Sequence, residues 1–268
     1  MTPAPPRFLV EHVGSLTRAF PRPHITLTWA QSLDAKIAGP GGKRVMLSGP
    51  ESMLMTHWLR TMHDAILVGV QTVIMDDPRL KIQLIPQDDP KLHPPQPLIL
   101  DPKLRMPPAA RIISEWTAYG ANPLLTGPRQ VRQPWILCGT DADAGRAAAL
   151  EAAGARVVRV ELDKKGHIPP TSLPGILSSL GLGSVMIEGG SRVLSSFLHA
   201  GPRADDSALV DSIVVTVAPM FIGEGISVVP PGHDVGLPEL TYVHTETMGK
   251  DAVMVATLAR VSGDVDEE

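Results

Sequence analysis

The sequence predicts an α/β fold: a single domain in which a mostly parallel central sheet is flanked by helices. Short apolar runs typical of buried strands alternate with helical patterns along the chain. The gaps between these segments are short, which favours one compact domain over two. The chain has 268 residues, enough to bury a sizeable core.

Each predicted element has a local justification. Eight short runs rich in Val, Ile and Leu are predicted strands: 24–30, 64–70, 97–101, 134–138, 156–160, 184–188, 211–218 and 252–258. Four segments carry helical periodicity: 50–62, 143–154, 171–181 and 190–200. Residues 48–51, Ser-Gly-Pro-Glu, form a good helix start, and Gly154 suits a helix C-cap before a strand.

Proline clusters define the expected domain limits. We expect a Pro-rich N-terminal extension over 1–22, one domain over 23–260 and an acidic tail over 261–268. Residues 102–108, Pro-Lys-Leu-Arg-Met-Pro-Pro, are expected to form an exposed loop, because proline cannot donate to a strand ladder.

Composition excludes several classes of function. The net charge is −4 without a long Lys/Arg run, so neither nucleic acid nor an anionic membrane surface is an expected partner. Cys138 is the only cysteine, which excludes an intrachain disulfide and a Cys-rich zinc site. The histidines lack metal-ligand spacing, so no metal site is expected. No apolar stretch of about 18 residues is present, and the first residues do not resemble a signal peptide, so we expect a cytoplasmic protein.

The stretch Ser184–Leu198 places a carboxylate and two glycines where a buried strand meets a helix. Ligands of open α/β sheets bind beyond the carboxyl ends of strands, and a helix start there offers unpaired N–H groups. The segment Gly189-Gly190-Ser191-Arg192 can therefore bind a pyrophosphate, with Ser191 suited to capping. On local sequence alone a tight strand–helix turn with Glu188 in solvent is favoured, because a Gly-Gly pair is a weak signal by itself.

Two further stretches leave alternatives open. Thr72 and Asp76 follow a strand at i, i+4 spacing, so they either contact a cofactor or cap turns. Asp34 and Lys36 follow the strand around Thr26–Trp29, and a surface ion pair is favoured over a catalytic role for them.

Three motifs taken together resemble a known family. They are TLTWAQSLDAKIAGPGGKRVMLSGPES, MTHWLRTMHDAILVGVQTVIMDDPRL and VMIEGGSRVLSSFL, in this order and at similar spacing. The combination resembles the pyrimidine reductases of riboflavin biosynthesis, from about residue 24 to 258. The resemblance implies a dihydrofolate-reductase-like fold, a homodimer and NADPH as cofactor. Because the chain lacks the length and cysteines of a zinc deaminase domain, it resembles the stand-alone reductases of fungi and archaea.

The resemblance also implies site residues. Ala30 matches a position near the nicotinamide, and Thr72 and Asp76 match cofactor contacts. The cofactor's pyrophosphate loop and helix match the run Gly189, Gly190, Ser191, Arg192, Val193, Leu194 and Ser195. Glu188 is implied to be the substrate contact beside the hydride path, and is our candidate catalytic residue. Further implied substrate contacts are Arg60, Leu80 and Gln83.

Three positions depart from the family pattern. Gln83 stands where bacterial members often have Arg, so the substrate phosphate is expected to contact Arg44, Arg60, Arg79 or Lys81 instead. Pro102 replaces a Ser near the adenosine end, so we expect Lys103 or Arg105 to serve a 2′-phosphate. Ala35 replaces a Gly, a small change if φ is negative there.

The implied activity is reduction of 2,5-diamino-6-ribosylamino-4(3H)-pyrimidinone 5′-phosphate to its ribitylamino form with NADPH. Two alternatives stay open. One is a reductase of the same fold that acts on a pterin or folate. The other is a nucleotide-binding protein without catalytic activity, because fold does not determine function.

Overall fold

A nine-stranded sheet forms the centre of the described part of the chain, which comprises residues 4–14, 22–85, 92–121, 131–232 and 237–258 of a computed structural model. Its strands are β1 (His24–Ser32), β2 (Ala65–Gly69), β3 (Gln96–Leu100), β4 (Trp135–Gly139), β5 (Arg156–Val160), β6 (Ser184–Gly189), β7 (Ser212–Ala218), β8 (Leu240–Met248) and β9 (Asp251–Leu258). The strand order is β5-β4-β3-β2-β6-β1-β7-β9-β8.

The sheet is mostly parallel. All pairs from β5 across to β7 are parallel, and the two remaining pairs at one edge, β7 with β9 and β9 with β8, are antiparallel. The carboxyl ends of the neighbours β2, β6 and β1 therefore lie together at one rim of the sheet. This arrangement confirms the predicted α/β class and places the candidate site at that rim.

Helices cover both faces of the sheet. They are α1 (Arg7–Leu9), continued by a π-helical turn (Val10–Gly14), then α2 (Pro50–Thr61), α3 (Val70–Asp76), α4 (Arg111–Ala121), α5 (Ala144–Ala153), α6 (Leu173–Ser179) and α7 (Ser191–Leu198). Alternation along β6 divides the core: Val185 and Ile187 pack with α6 and α7, whereas Met186 packs with α2 on the opposite face. Each helix thus buries one apolar stripe against the sheet.

Two elements were not predicted, and one predicted loop was wrong. The edge strand β8 was not predicted, because most of its side chains are exposed and it lacks the alternation of a half-buried strand. Helix α4 was not predicted either. Residues 102–108 were expected to be an exposed loop, yet Leu104 and Met106 are fully buried and pack with Ile99. The prolines there exclude a strand but do not prevent an irregular segment from burying its apolar side chains.

Part of the predicted N-terminal extension packs on the domain. Phe8, Leu9 and Val13 are buried in the same core cluster as Trp58 of α2. Residues 1–3, 15–21 and the predicted tail 261–268 lie outside the described residues, and the domain limits stay a prediction. No helix of the described residues is long and apolar enough to cross a membrane.

Candidate active site

A cleft of 770 Å³ opens at the carboxyl ends of β1, β2 and β6. Its volume lies in the range of roughly 300–1,000 Å³ that is usual for small-molecule and cofactor sites. The cleft brings together most of the site residues that were predicted: Ala30, Arg44, Arg60, Thr72, Asp76, Glu188, Gly189, Gly190, Ser191, Arg192, Val193 and Leu194. These residues come from three strand ends, two helix starts, α2 and the loop before α2.

A β-bulge directs Glu188 into the cleft. In the pairing of β2 with β6, Leu67 lies opposite Ile187, but the next residue, Val68, lies opposite Gly189. Glu188 is therefore the extra residue on β6, without a partner on β2. A bulge re-aims a side chain that would otherwise follow the strand's alternation. This explains why a carboxylate can end a strand whose other residues are buried.

Arg60 fixes the Glu188 carboxylate. Arg60 Nε and Nη2 each donate to a different oxygen of Glu188 at 2.7 Å, and Nη1 donates to the Lys81 carbonyl at 2.8 Å. Both side chains are about 15% exposed, at 16% and 14%. A bidentate pair of this kind sets geometry as well as charge. In the described structure the Arg60 guanidinium is used by Glu188 and the Lys81 carbonyl, and the expected contact of Arg60 with the substrate stays a prediction.

The Gly189–Gly190 segment forms an open cradle beside Thr72. Gly190 has a φ of +67°, a left-handed conformation that favours glycine. A Cβ on Gly190 would lie 3.2 Å from Thr72 Oγ1, so a side chain there would crowd the threonine. Ser191 was expected to suit the cap role, but Gly190 occupies the N-cap position of α7, without a side-chain cap. The first N–H groups of α7 are therefore not satisfied by a capping side chain.

Helix α3 places Thr72 and Asp76 on the same side of the cleft as α7. Close approach is possible because Gly69 ends β2: a Cβ there would lie 2.8 Å from Val193 Cγ2. Asp76 is exposed at the cleft, and the next residue, Asp77, ends the helix in a left-handed conformation. Two segments that are distant in sequence thus form one polar wall.

The cations near the cleft differ in whether they have a partner. Arg79 and Lys81 both pair with Glu115, at 2.8 and 3.0 Å. Arg44 and Arg192 line the cleft, are exposed, and have no hydrogen-bond or ion-pair partner among the described residues. Of the four cations predicted for the substrate phosphate, Arg44 is therefore the one with an uncommitted charge in the described structure.

Three predicted site residues do not line the cleft. Leu80 is buried in the core with a φ of +50°. The Gln83 side chain is exposed, and its backbone N–H donates to His57. Ser195 lies in the second turn of α7, where its hydroxyl is 3.4 Å from His199 Nδ1. The roles of these three residues stay predictions.

His57 lines the cleft and was not predicted to act there. It is 8% exposed and lies one turn before Arg60 on α2. Burial, helped by the Arg60 charge, lowers the pKa of His57 to about 4, although Glu188 acts in the opposite direction. Its spacing of three residues from Arg60 was the available sequence signal, because i and i+3 share a helix face.

Asp34 links the turn after β1 to the loop that follows β7. Its carboxylate accepts from the backbone N–H groups of Ile222 and Gly223, at 3.1 and 2.7 Å, and from the Ser32 hydroxyl. The Ser32 hydroxyl and the Gly223 N–H lower the pKa of Asp34 to about 2. Lys36 donates to Ser227 at 3.0 Å, so the pair predicted between Asp34 and Lys36 is wrong.

Ala35 lies within the same turn and has a φ of +58°. The expectation of a small effect assumed a negative φ, and the observed value overturns that assumption. A side chain in the left-handed region costs about 1–2 kcal/mol. The turn tolerates this because Asp34 binds the opposing loop.

Among the described residues, no group of three or more His, Cys, Asp or Glu side chains is arranged to hold a metal ion. The charged groups of the cleft are instead three guanidinium groups, of Arg44, Arg60 and Arg192, and the carboxylates of Asp76 and Glu188, beside open backbone N–H donors. This combination suits phosphorylated organic ligands better than a cation.

Comparison with known proteins decides the family. The sequence profile of the RibD C-terminal domain matches residues 23–254. The chain belongs to this family. The matched residues include strands β1 to β8, the first half of β9 and all residues of the cleft.

Relatives of this RibD C-terminal domain include stand-alone proteins. The 2,5-diamino-6-ribosylamino-4(3H)-pyrimidinone 5′-phosphate reductase of Candida glabrata is 35% identical over 228 residues, which cover 82% of this chain and 84% of that protein. The protein of the same name from Methanothermobacter thermautotrophicus is 33% identical over 202 residues, covering 75% and 80%. The structure of the Saccharomyces cerevisiae riboflavin biosynthesis reductase Rib7 matches with a TM-score of 0.70 and 25% identity, over 95% of this chain and 99% of that chain.

Proposed function

We propose that this protein is an NADPH-dependent reductase of 2,5-diamino-6-ribosylamino-4(3H)-pyrimidinone 5′-phosphate in riboflavin biosynthesis. One observation carries the proposal: a carboxylate fixed by Arg60, Glu188, directly precedes the Gly189–Gly190 cradle in a single cleft. An acceptor for a sugar or an amino group thus adjoins a site for phosphates. The names of the fungal and archaeal relatives support this substrate.

The α3–α7 side of the cleft suits a dinucleotide. The open N-terminus of α7, the cradle at Gly190 and the Thr72 hydroxyl would hold the pyrophosphate, with Asp76 at the ribose and Ala30 near the nicotinamide. Val193, Leu194 and Ser195 complete the implied cofactor segment. When bound, the reduced nicotinamide supplies the hydride for C1′ of the substrate's sugar.

The α2 side of the cleft suits the substrate. Arg44, exposed and without a partner among the described residues, would bind the 5′-phosphate. Glu188 would accept hydrogen bonds from the sugar or the amino groups and stabilise positive charge as the ribosylamine opens to an imine. Arg60 keeps the carboxylate in one orientation, so that little reorganisation is needed during the reaction.

NADPH oxidation at 340 nm tests the proposal. The assay uses the enzymatically prepared ribosylamino-pyrimidinone phosphate in its amino and its deaminated forms. We expect oxidation with the amino form. Absence of oxidation with either form, in folded protein that binds NADPH, would support the binding-protein alternative. Oxidation with dihydrofolate but with neither pyrimidinone would support the pterin or folate alternative.

We propose Arg105 as the determinant of NADPH preference. Its Nη1 donates to Gln71 Oε1 at 3.4 Å, and Gln71 lines the cleft on the α3 side. Arg105 is therefore close enough to the rim to meet a 2′-phosphate. Arg105→Ala should reduce the ratio of kcat/KM for NADPH over NADH about tenfold, the loss of one charge-assisted bond. Lys103→Ala tests the other cation expected to serve the 2′-phosphate: if Arg105 is the determinant, the ratio should be unchanged in this variant.

We also propose a homodimer, as the family resemblance implies. Among the described strands, β8 pairs only with β9, which leaves one edge of β8 open. Leu240, Tyr242 and Val243 are exposed along it, at 43%, 86% and 52%. An open apolar edge is a site for pairing with another chain. Light scattering should show a dimer that Val243→Asp converts to monomer, whereas the control Ile74→Asp should not. A monomeric wild type would overturn this proposal.

We propose a cytoplasmic location and assign no nucleic-acid or membrane partner. The single cysteine agrees with a reducing compartment, and Cys138 is fully buried. Cell fractionation followed by the 340 nm assay should place the activity in the cytosolic fraction. Activity confined to the membrane pellet would contradict this assignment.

A further inference from the structure

His57 has no role in the reaction proposed above, although its position in the cleft is well defined. It is a nearly buried ring on the α2 wall of the cleft, and it shares a helix face with Arg60, which holds Glu188. A buried polar side chain at a ligand site normally has a defined hydrogen-bonding task. The hydrogen-bond partners of the two ring nitrogens indicate which of them carries hydrogen.

The tautomer of His57 follows from its contact with Gln83. The backbone N–H of Gln83 lies 3.0 Å from His57 Nδ1. Because a backbone N–H can only donate, Nδ1 must be the unprotonated acceptor. With a pKa of about 4, the ring is neutral near pH 7 and carries its single hydrogen on Nε2.

The Nε2–H group remains available to a ligand. Nε2 has no hydrogen-bond partner among the described residues, and it is not one of their enclosed, unsatisfied polar atoms. His57 lines the cleft beside Glu188. The α2 side of the cleft therefore presents a neutral donor, Nε2–H, close to an acceptor fixed in place, the Glu188 carboxylate.

We propose that His57 is a substrate-orienting residue whose Nε2–H donates to an oxygen of the substrate's ribosyl group. The inference rests on the proposed function. A sugar hydroxyl both donates and accepts, so one ribosyl group can bind Glu188 and His57 together. The two contacts restrict rotation of the sugar and hold C1′ in position for the hydride. A neutral imidazole is a poor proton source near pH 7, so His57 orients the substrate and does not act as its general acid.

A pair of amide variants separates the two functions of the ring. In His57→Asn, the short side chain keeps an acceptor near Nδ1 for the Gln83 N–H but does not reach the Nε2 position. In His57→Gln, the longer side chain places an N–H donor near Nε2. His167→Asn, at an exposed position outside the cleft, is the matched control.

We expect His57→Asn to lower kcat/KM for the pyrimidinone substrate 10- to 100-fold with an unchanged Kd for NADPH. His57→Gln should retain activity within about threefold of wild type, and His167→Asn should match wild type. Urea unfolding of each variant shows whether the fold is intact. Equal kcat/KM for the Asn and Gln variants, whether reduced or unchanged, would overturn the proposal, because the donor at Nε2 would then have no separate effect.

A binding measurement distinguishes this failure from failure of the proposed function. Ribose 5-phosphate carries the sugar and phosphate of the substrate and serves as the probe in calorimetric titration of the NADPH-bound protein. If the wild type shows no turnover, weaker probe binding in His57→Asn than in His57→Gln would still support the donor role. Equal probe affinity in both variants, or no binding to the wild type, would overturn it.

Discussion

Two clusters of an arginine, a carboxylate and a histidine lie at opposite ends of the sheet. At the carboxyl end, Arg60 binds Glu188 at 2.7 Å, with His57 nearby. At the amino end, Arg203 binds Asp211 at 2.6 Å, with His24 nearby. Burial lowers the pKa of both histidines to about 4. The chemistry is alike, yet the first cluster lines the cleft described above, whereas the second cluster does not line it.

The difference lies in what remains available for a ligand. Asp211 accepts from Arg203, Arg22 and the Ile25 N–H, and both of its oxygens are thereby used within the protein. Burial raises the pKa of Asp211 against these partners. Glu188 is bound by Arg60 alone among the described residues and faces the cleft. The types of charged residue and their pairing therefore do not by themselves identify a ligand site. The cluster must also be accessible to a ligand.

The largest expected effect is on the cluster of Arg203, Asp211 and His24, called the closed cluster because both oxygens of Asp211 are used within the protein. Asp211→Asn should lower the free energy of unfolding by about 3 kcal/mol, because it leaves the nearly buried Arg203 without its counter-charge. Urea unfolding measures the change. Turnover per folded molecule should remain that of the wild type. A loss of turnover without a loss of stability would contradict the division between the two clusters.

In the open cluster of Arg60, Glu188 and His57, a substitution should lower turnover more than stability. Glu188→Gln should lower kcat about 100-fold, equivalent to about 2.7 kcal/mol, with NADPH affinity unchanged. Its stability should fall less than that of Asp211→Asn, because the cleft gives water access to Arg60. Glu11→Gln, which removes a surface pair with Arg7, is the matched control. Wild-type turnover in Glu188→Gln would remove this residue from the mechanism.

Acid should weaken the closed cluster and its neighbour His63. Burial lowers the pKa of His24 and of His63 to about 4, compared with about 6.5 in the unfolded chain. As the pH falls, the histidines of the unfolded chain are protonated before those of the folded protein. The free energy of unfolding is therefore highest above about pH 6.5 and decreases from there towards pH 4. Each histidine should contribute roughly 1–2 kcal/mol of this loss by pH 5.

Urea unfolding of wild type and His63→Gln at pH 7.5 and pH 5 checks this expectation. The variant should show a smaller loss between the two pH values than the wild type. An equal loss in both proteins would mean that His63 does not contribute to the acid sensitivity.

The smallest expected effect concerns Thr72 and Asp76, on the α3–α7 side of the cleft. Thr72→Ala and Asp76→Ala should each weaken NADPH binding about tenfold, the loss of one or two hydrogen bonds, without changing stability. Fluorescence titration with NADPH measures it. Thr245→Ala, on the exposed face of β8, should bind as the wild type does. Wild-type affinity in the Thr72 and Asp76 variants would reject their assignment to the cofactor.

Local patterns account for what the sequence predicted. Strand runs such as 156–160 and helix starts such as Pro50 depend on neighbouring residues, and both are confirmed. The cleft brings together Thr72 and Gly189, as the motifs indicated. These features need no knowledge of how distant segments pack.

What escaped prediction depends on register and tertiary contact. The bulge at Glu188 exists only in the pairing of β6 with β2, and the partner of Glu188, Arg60, is 128 positions away. The tautomer of His57 depends on the Gln83 backbone, and the role of Asp34 depends on Ile222 and Gly223. None of these pairings leaves a periodic trace in the sequence.

The strand order also has a consequence for synthesis on the ribosome. β1 is made first of the nine described strands but lies between β6 and β7, where His24 pairs with Ser184 and Thr26 with Ser212. Its fully buried Ile25 and Leu27 must therefore wait, without their final neighbours, while most of the chain is translated. A nascent chain halted before residue 184 would expose that apolar strand, and would need a chaperone to keep it from aggregating.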